Sequence, residues 1–269
     1  MGVFGAIGRM IGLAPARPSP GAQYMGGGAS PFFVGWNPAL RDQRQDVRAA
    51  YTAAAARAID ALHNSGWLAG AVQQAIGATV GTGLKLVSKP DYQALGWTAD
   101  VSDKFVRTIE RRWEAWSSNP LECDAGGRWT IAQMTDAVVR SHFAYGEGLA
   151  LLPQVSRPES RSRIKVHLLP PHKLTQESNG TDLYQGVRMG DWGLPVAYRI
   201  QMSGIRGESV EMPVTVRARD GAGRPQVAHV FNGAAGQVRG ISPFAPVLKI
   251  VRQYDQLADA SLPAGKIAC

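Results

Sequence analysis

The side chains able to do chemistry are few and scattered. Five histidines, His63, His142, His167, His172 and His229, fall at spacings that fit no metal-ligand pattern. His167 and His172 flank the run LLPP, and the neighbouring sequence supplies no partner that would make either a general base. Neither Cys123 nor any serine has the glycine-framed turn that exposes a nucleophile. The stretch GATVGTG at 77–83 resembles a phosphate cradle only superficially, since Leu84 follows where a nucleotide loop requires Lys and then Ser or Thr. Asp100, Asp103, Glu110 and Glu114 are spaced as surface positions of one helix rather than as a site for two magnesium ions. The expectation is no enzyme, no metal and no cofactor.

Positive charge is the more informative feature. Lys and Arg total 29 against 21 Asp and Glu, a net charge of +8. Such an excess favours anionic partners, nucleic acid among them, without implying that sequence is read. The run RPESRSRIK gathers Arg157, Arg161, Arg163 and Lys165 between two expected strands, as candidates for a phosphate or an acidic neighbour. Arg107, Arg111 and Arg112 alternate with Glu110 and Glu114 and read as a solvated helix face. The stretch GQVRGISPFAPVL, Gly236 to Leu248, sets Arg239 beside glycines and directly before Ser242 and Pro243, residue types that begin helices. Three partners suit Arg239: a neighbouring subunit's carboxylate, a DNA phosphate, or a carboxylate of its own chain.

These groups depend on the elements that carry them. Residues 1–40 are rich in Gly, Pro, Ala and Ser and read as a flexible arm. From Asp42 to His63, Val47, Tyr51, Ala55, Ile59 and Leu62 recur at helical spacing. A second helix starts at Trp67 and dissolves at Gly81 and Gly83. A third covers about 99–117, capped by Thr98, with Val101, Phe105, Ile109, Trp113 and Trp116 on one face; the two tryptophans continue that stripe and read as core rather than as a base-stacking platform. Thr130 and Gln133 form a capping box before a fourth helix with Ile131, Met134, Val138 and Val139 facing inward.

After Gly146 the period changes. GLALLPQV, IKVHLLP, LYQGVRM, VAYRIQM, VEMPVTV and QVAHVF are short β-branched or aromatic segments separated by turn residues, which predicts a mostly antiparallel sheet region. A last helix is expected from Ser242 into the 260s, where Pro263 and Gly265 are poor helix residues. The order, helices then strands then a helix, is an α+β fold. Two distant cysteines build no disulfide framework, which points to a reducing compartment. No run of eighteen apolar residues occurs, so no membrane span is expected.

Five segments, in order, resemble the portal proteins of tailed bacteriophages in the branch related to the lambda portal. They are the stretch from Trp36 to Leu86 with Asp60, Asn64 and the Val80-Gly81-Thr82-Gly83 turn, and Trp113 and Trp116 followed by CDAGGRWT at 123–130. HFAYGEGLALL at 142–152 follows, with Gly146 and Glu147, and then YQGVRMGDWGLPVAYRI at 184–200. The last is VAHVFNGAAGQVRGISPFAPVL at 227–248, with Gly236, Gln237, Arg239, Gly240 and Ser242. The resemblance covers about residues 36–268 and implies a wing domain with helical (41–146) and β-rich (147–235) parts. It further implies a joint and start of a stem helix at 236–269, with Gly236, Gln237, Arg239, Gly240, Ser242 and Pro243 at that joint or at a subunit interface. Because the family continues beyond this point, a C-terminally truncated chain is expected.

The function so implied is that of a structural subunit in a homo-oligomeric ring, usually of twelve copies. Double-stranded DNA passes through the ring with nonspecific contact, and terminase, capsid and head–tail connector proteins are the partners. The location implied is the host cytoplasm before assembly and the capsid vertex of the virion afterwards. Two other readings compete: a nonspecific DNA-binding module acting outside a ring, and a small hydrolase built on one of the histidines.

Overall fold

Asp42 starts the first helix by accepting the Arg44 amide at 2.9 Å, in a computed structural model that describes residues 35–36, 38–202 and 212–267. The arm expected at 1–40 lies outside the described residues except at 35–36 and 38–40. Helix α1, Gln43–Asn64, buries Val47, Tyr51 and three alanines, and the alanines let neighbouring helices approach closely. Ser65 separates it from α2, Gly66–Val80, whose Leu68, Val72, Ile76 and Val80 face inward. Helix α3, Ala99–Ser117, is capped by Thr98, and the single turn α4, Pro120–Cys123, is capped by Asn119. Helix α5, Ile131–Tyr145, opens on the Thr130–Gln133 capping box and stops at Gly146, whose φ of 83° is the left-handed conformation that ends helices.

Strand β1, Glu147–Leu151, follows at once and is the centre of a three-stranded antiparallel sheet. Its neighbours are β2, His167–Leu169, and β7, Val227–Phe231. The second sheet is also antiparallel, in the order β3 (Leu183–Tyr184), β4 (Val187–Met189), β5 (Pro195–Met202), β6 (Met212–Arg217). LYQGVRM, expected as one strand, is a tight hairpin of β3 and β4. Gln185 and Gly186 both take positive φ (46° and 79°), as a two-residue hairpin loop demands. Leu149, Leu151, Leu174, Val187, Tyr198, Ile200 and Val227 make one core shared by the two sheets. The helices have their own core of Val72, Ile76 and Val80 with Phe143 and Phe244 against it. The α+β order expected from the sequence is the order observed, and the described residues from Asp42 onward gather into one compact unit.

Two expectations need correction. The stripe on α3 is not core: Val101 and Phe105 are exposed, Ile109, Trp113 and Trp116 are half-buried, and Ser102 is the buried residue. The periodicity identifies an apolar face but not what covers it. The last helix, α6, spans Leu248–Ile267 rather than starting at Ser242. The Ser242 hydroxyl donates to the Phe143 carbonyl at 2.6 Å and accepts the Phe244 amide at 3.2 Å, which folds 242–247 into successive turns before the helix begins. Helix α6 then runs through Pro263 and Gly265. Among the described residues, no helix is long and apolar enough to cross a membrane.

Candidate functional site

Two short sequences, Gly146-Glu147 and Arg239-Gly240, meet in the buried interior. The end of α5 delivers Gly146, and β1 begins with Glu147 pointing into the space between the layers. The segment after β7 comes back to this junction at Arg239 and Gly240. Gly240 crosses Gly146 backbone to backbone, so closely that a methyl on either glycine would overlap the other strand's main chain.

This approach places Arg239 against Glu147, both side chains fully buried. The guanidinium grips the carboxylate through Nε, 3.0 Å from both oxygens, and through Nη2, 2.5 Å from Oε1. The Gly240 amide donates to Oε2 at 2.9 Å, the Tyr51 hydroxyl of α1 to Oε1 at 2.7 Å, and His229 Nε2 of β7 lies 3.0 Å from Oε2. The remaining guanidinium hydrogens reach the carbonyls of Pro171, Thr175 and Gln185, at 3.2, 3.4 and 2.9 Å. The Tyr51 ring lies under the guanidinium, 4.5 Å from its centre. One ion pair therefore joins α1, both sheets and the chain leading to α6. An isolated charge at this depth would be prohibitive; here both charges have their hydrogen-bonding capacity filled.

The electrostatics follow from that geometry. Burial by itself would raise the Glu147 carboxyl, but the His229 hydrogen bond and the Arg239 charge outweigh it and hold the group down at about 2. Burial also opposes the charge on Arg239, and the adjacent carboxylate keeps its pKa raised. Burial pushes the Tyr51 hydroxyl up, so it remains a donor.

The other joint residues serve the same crossing. Gln237 donates through Nε2 to the Arg239 carbonyl at 2.7 Å and accepts the Ala234 amide at 3.1 Å. Gly236 takes φ 82° at the exposed tip of the turn, and Pro243 is exposed just beyond buried Ser242. Of the three partners open to Arg239 in the sequence, the one observed is a carboxylate of its own chain; no part of the side chain is exposed, so the readings with a neighbouring subunit's carboxylate or a DNA phosphate are corrected. Gly240 and Ser242 are buried in the same chain.

The basic run 157–165 also divides. Lys165 is fully buried, its ammonium bonded to the Leu121 and Glu122 carbonyls at 2.8 Å each and to Ser160 Oγ. Arg157 donates to the Asp124 and Ala125 carbonyls. Glu122 answers by accepting the Arg161 and Ser162 amides at 2.8 Å, and these backbone bonds lower its pKa. Lys165 and Arg157 therefore fasten their own loop, whereas Arg161 and Arg163 remain exposed. Lys165→Met is expected to remove about 1–3 kcal/mol of local stability by leaving those carbonyls unpaired. Trypsin should then cut at Arg161 or Arg163 roughly tenfold faster, measured by timed digestion.

Sequence reasoning missed two members of the central cluster. In the sequence Tyr51 reads only as part of an apolar stripe, and His229 only as one of the histidines on which the hydrolase alternative could be built. A polar tip at a core position of α1 was the available signal, because a buried hydroxyl requires a partner.

Comparison with known proteins bears on both motifs. The family described as phage portal protein, lambda family, matches residues 30–269, which include them. The chain is 26% identical over 256 residues to the portal protein of Escherichia phage N15, covering 93% of this chain and 48% of that protein. It is 26% identical over 253 residues to portal protein B of Escherichia phage lambda, covering 90% of this chain and 46% of that protein. The chain thus spans about half the length of these curated relatives. With a match that extends over nearly all of its own length, the chain belongs to the lambda family of phage portal proteins.

Proposed function

We propose that this chain is the wing and the first part of the stem of a portal subunit, a structural component of a homo-oligomeric ring at the capsid vertex. The family match across residues 30–269 carries this reading. Its function is mechanical: subunits enclose a passage for double-stranded DNA and present surfaces to terminase, capsid and head–tail connector proteins, with no bond-making chemistry in the chain. The hub supports the reading, because a body threaded by moving DNA needs rigid attachment between its outer layers and the segment entering α6. Its carboxylate is committed to four donor residues from three segments and its histidine is buried, an arrangement suited to rigidity rather than to substrate access.

DNA contact in this reading is electrostatic and indifferent to sequence. With Arg239, Lys165 and Arg157 engaged internally, Arg161 and Arg163 are the members of the proposed contact set left to meet phosphate or an acidic partner. Binding of duplex DNA should weaken steeply with salt and equally for unrelated sequences. The double substitution Arg161→Ala/Arg163→Ala should lower the slope of log affinity against log salt by about 1–2, from roughly 0.9 per phosphate neutralised. Fluorescence anisotropy across a salt series measures this, and an unchanged slope removes these two arginines from the contact.

Assembly is tested by sedimentation and negative-stain imaging of the purified chain. Rings with a central opening support the reading. A monomer at every concentration, binding DNA tightly, favours the alternative of a module that acts alone.

A further inference from the structure

Between α1 and α6 runs an open groove of about 740 Å3. Ala50, Ala53, Ala54 and Ala61 of α1 line one wall, and Leu248 and Val251 of α6 line the other. With Arg57 between them, the alanines follow the three- and four-residue spacing of one helix face. From Ala50 to Asn64, the last α1 residue in the groove, the helix advances about 21 Å at 1.5 Å per residue. A trough of that length, walled on one side by small side chains, accepts another helix whose larger side chains fill it.

Charge decides what kind of helix. Arg57, Lys249 and Arg252 line the groove and are exposed, and among the described residues their side chains make no hydrogen bond or ion pair. The two carboxylates of the groove are held by neutral donors instead. Asn64 Nδ2 donates to Asp60 at 2.6 Å, and the Ser65 hydroxyl donates to Asp255 at 3.1 Å. Both donors belong to the end of α1, so the carboxylates are anchored where the chain leaves that helix. An exposed cation is ordinary, but three unpaired cations around one apolar trough complement an occupant that is apolar on one face and negative at its borders.

We infer that the groove seats an acidic amphipathic helix of another protein. Its apolar side chains lie on the alanine wall and against Leu248 and Val251, and its Asp or Glu borders face Arg57, Lys249 and Arg252. This goes beyond the structural role proposed above by adding a docking site and the chemistry of its partner. The chain itself offers no such helix. Residues 1–41 contain three arginines and neither Asp nor Glu. Among the described helices of two turns or more none is net acidic: α3 balances four carboxylates with four Lys and Arg, α5 balances one with one, α2 is uncharged, and α1 and α6 are net basic. A second copy is excluded as the source on the same ground. Duplex DNA fits less well, because a phosphate backbone has no apolar face for the alanines and would meet Asp60 and Asp255.

The test titrates the full chain into a fluorescein-labelled peptide of about fifteen residues, with leucine at i, i+4, i+7 and i+11 and glutamate on both borders. Fluorescence anisotropy should show this peptide bound at least about tenfold more tightly than one with lysine in place of every glutamate, and added salt should weaken the complex. Arg57→Glu/Arg252→Glu, at two exposed positions, should reverse the preference to about tenfold in favour of the lysine peptide, with melting unchanged. Ala53→Leu, also at an exposed position, keeps helix propensity but fills the trough, and should weaken the glutamate peptide about fivefold or more. Equal binding of both peptides by the parent, or a preference that the double substitution leaves in place, overturns the proposal. Loss of duplex DNA binding or of self-association in the double variant, with peptide binding intact, assigns the groove to DNA or to a second copy and overturns it as well.

Discussion

Glu147→Gln is expected to destabilise the chain by about 3–5 kcal/mol, because it leaves the Arg239 guanidinium buried and uncompensated while keeping the side-chain volume. For a unit of this size that corresponds to a melting temperature lower by roughly 10 °C, measurable by calorimetry or circular dichroism. Arg239→Met alone should cost a similar amount by orphaning the carboxylate. The double variant should cost clearly less than the two singles together, since no net charge then remains in the interior. Simple additivity would mean that the two side chains act independently and that the geometry is misleading. The pair also sets an acid response. The Glu147 carboxyl falls from an ordinary 4.5 to about 2 in the folded chain, so its contribution is complete above pH 4.5 and disappears as pH falls toward 2. On the order of 3 kcal/mol should vanish across that window in the parent chain, and Glu147→Gln should flatten this part of the profile.

Gly240→Ala is expected to be about as damaging, although it adds a single methyl. That methyl would collide with the Gly146 carbonyl and stand 2.9 Å from Glu147 Cβ, so the crossing must open and the ion pair with it. Gly146→Ala meets two obstacles: the backbone of Ile241 and a φ of 83°. Each should cost roughly 3 kcal/mol or more, since overlap with main chain cannot be relieved by rotating a side chain. Gly236→Ala is the control. It shares the positive φ, 82°, but has nothing within 4 Å, so strain alone should cost about 1–2 kcal/mol. Chemical denaturation of the three variants checks the order, and equal losses at Gly236 and Gly240 would show that close approach is unimportant.

The helix starts were legible because their signals are local. Asp42, Thr98 and Thr130 bond to amides two or three residues away, and such contacts appear in the sequence as residue types at fixed offsets. The strands were legible from composition, yet the hairpin within LYQGVRM was hidden because Gln185 is an uncommon residue for positive φ. Arg239 was visible as an unusual residue in an unusual loop, but its partner lies 92 positions earlier. Nothing local distinguishes a buried carboxylate from a solvated one. Lys165 shows the same limit, since a lysine among arginines reads as surface charge until the carbonyls around it are seen. The α6 start was misplaced for a related reason: Ser242-Pro243 has the composition of a helix start, while the Phe143 carbonyl that draws the serine away belongs to a distant helix.

The central claim is that one ion pair couples α1, both sheets and the lead into α6 into a single mechanical unit. Hydrogen exchange of Glu147→Gln against the parent chain, near neutral pH, tests it most directly. The account predicts that protection falls together in α1 around Tyr51, in β1 and β7, in the β3–β4 hairpin around Gln185 and in residues 238–248. Loss confined to β1, with the hairpin and the lead into α6 as protected as before, would contradict it.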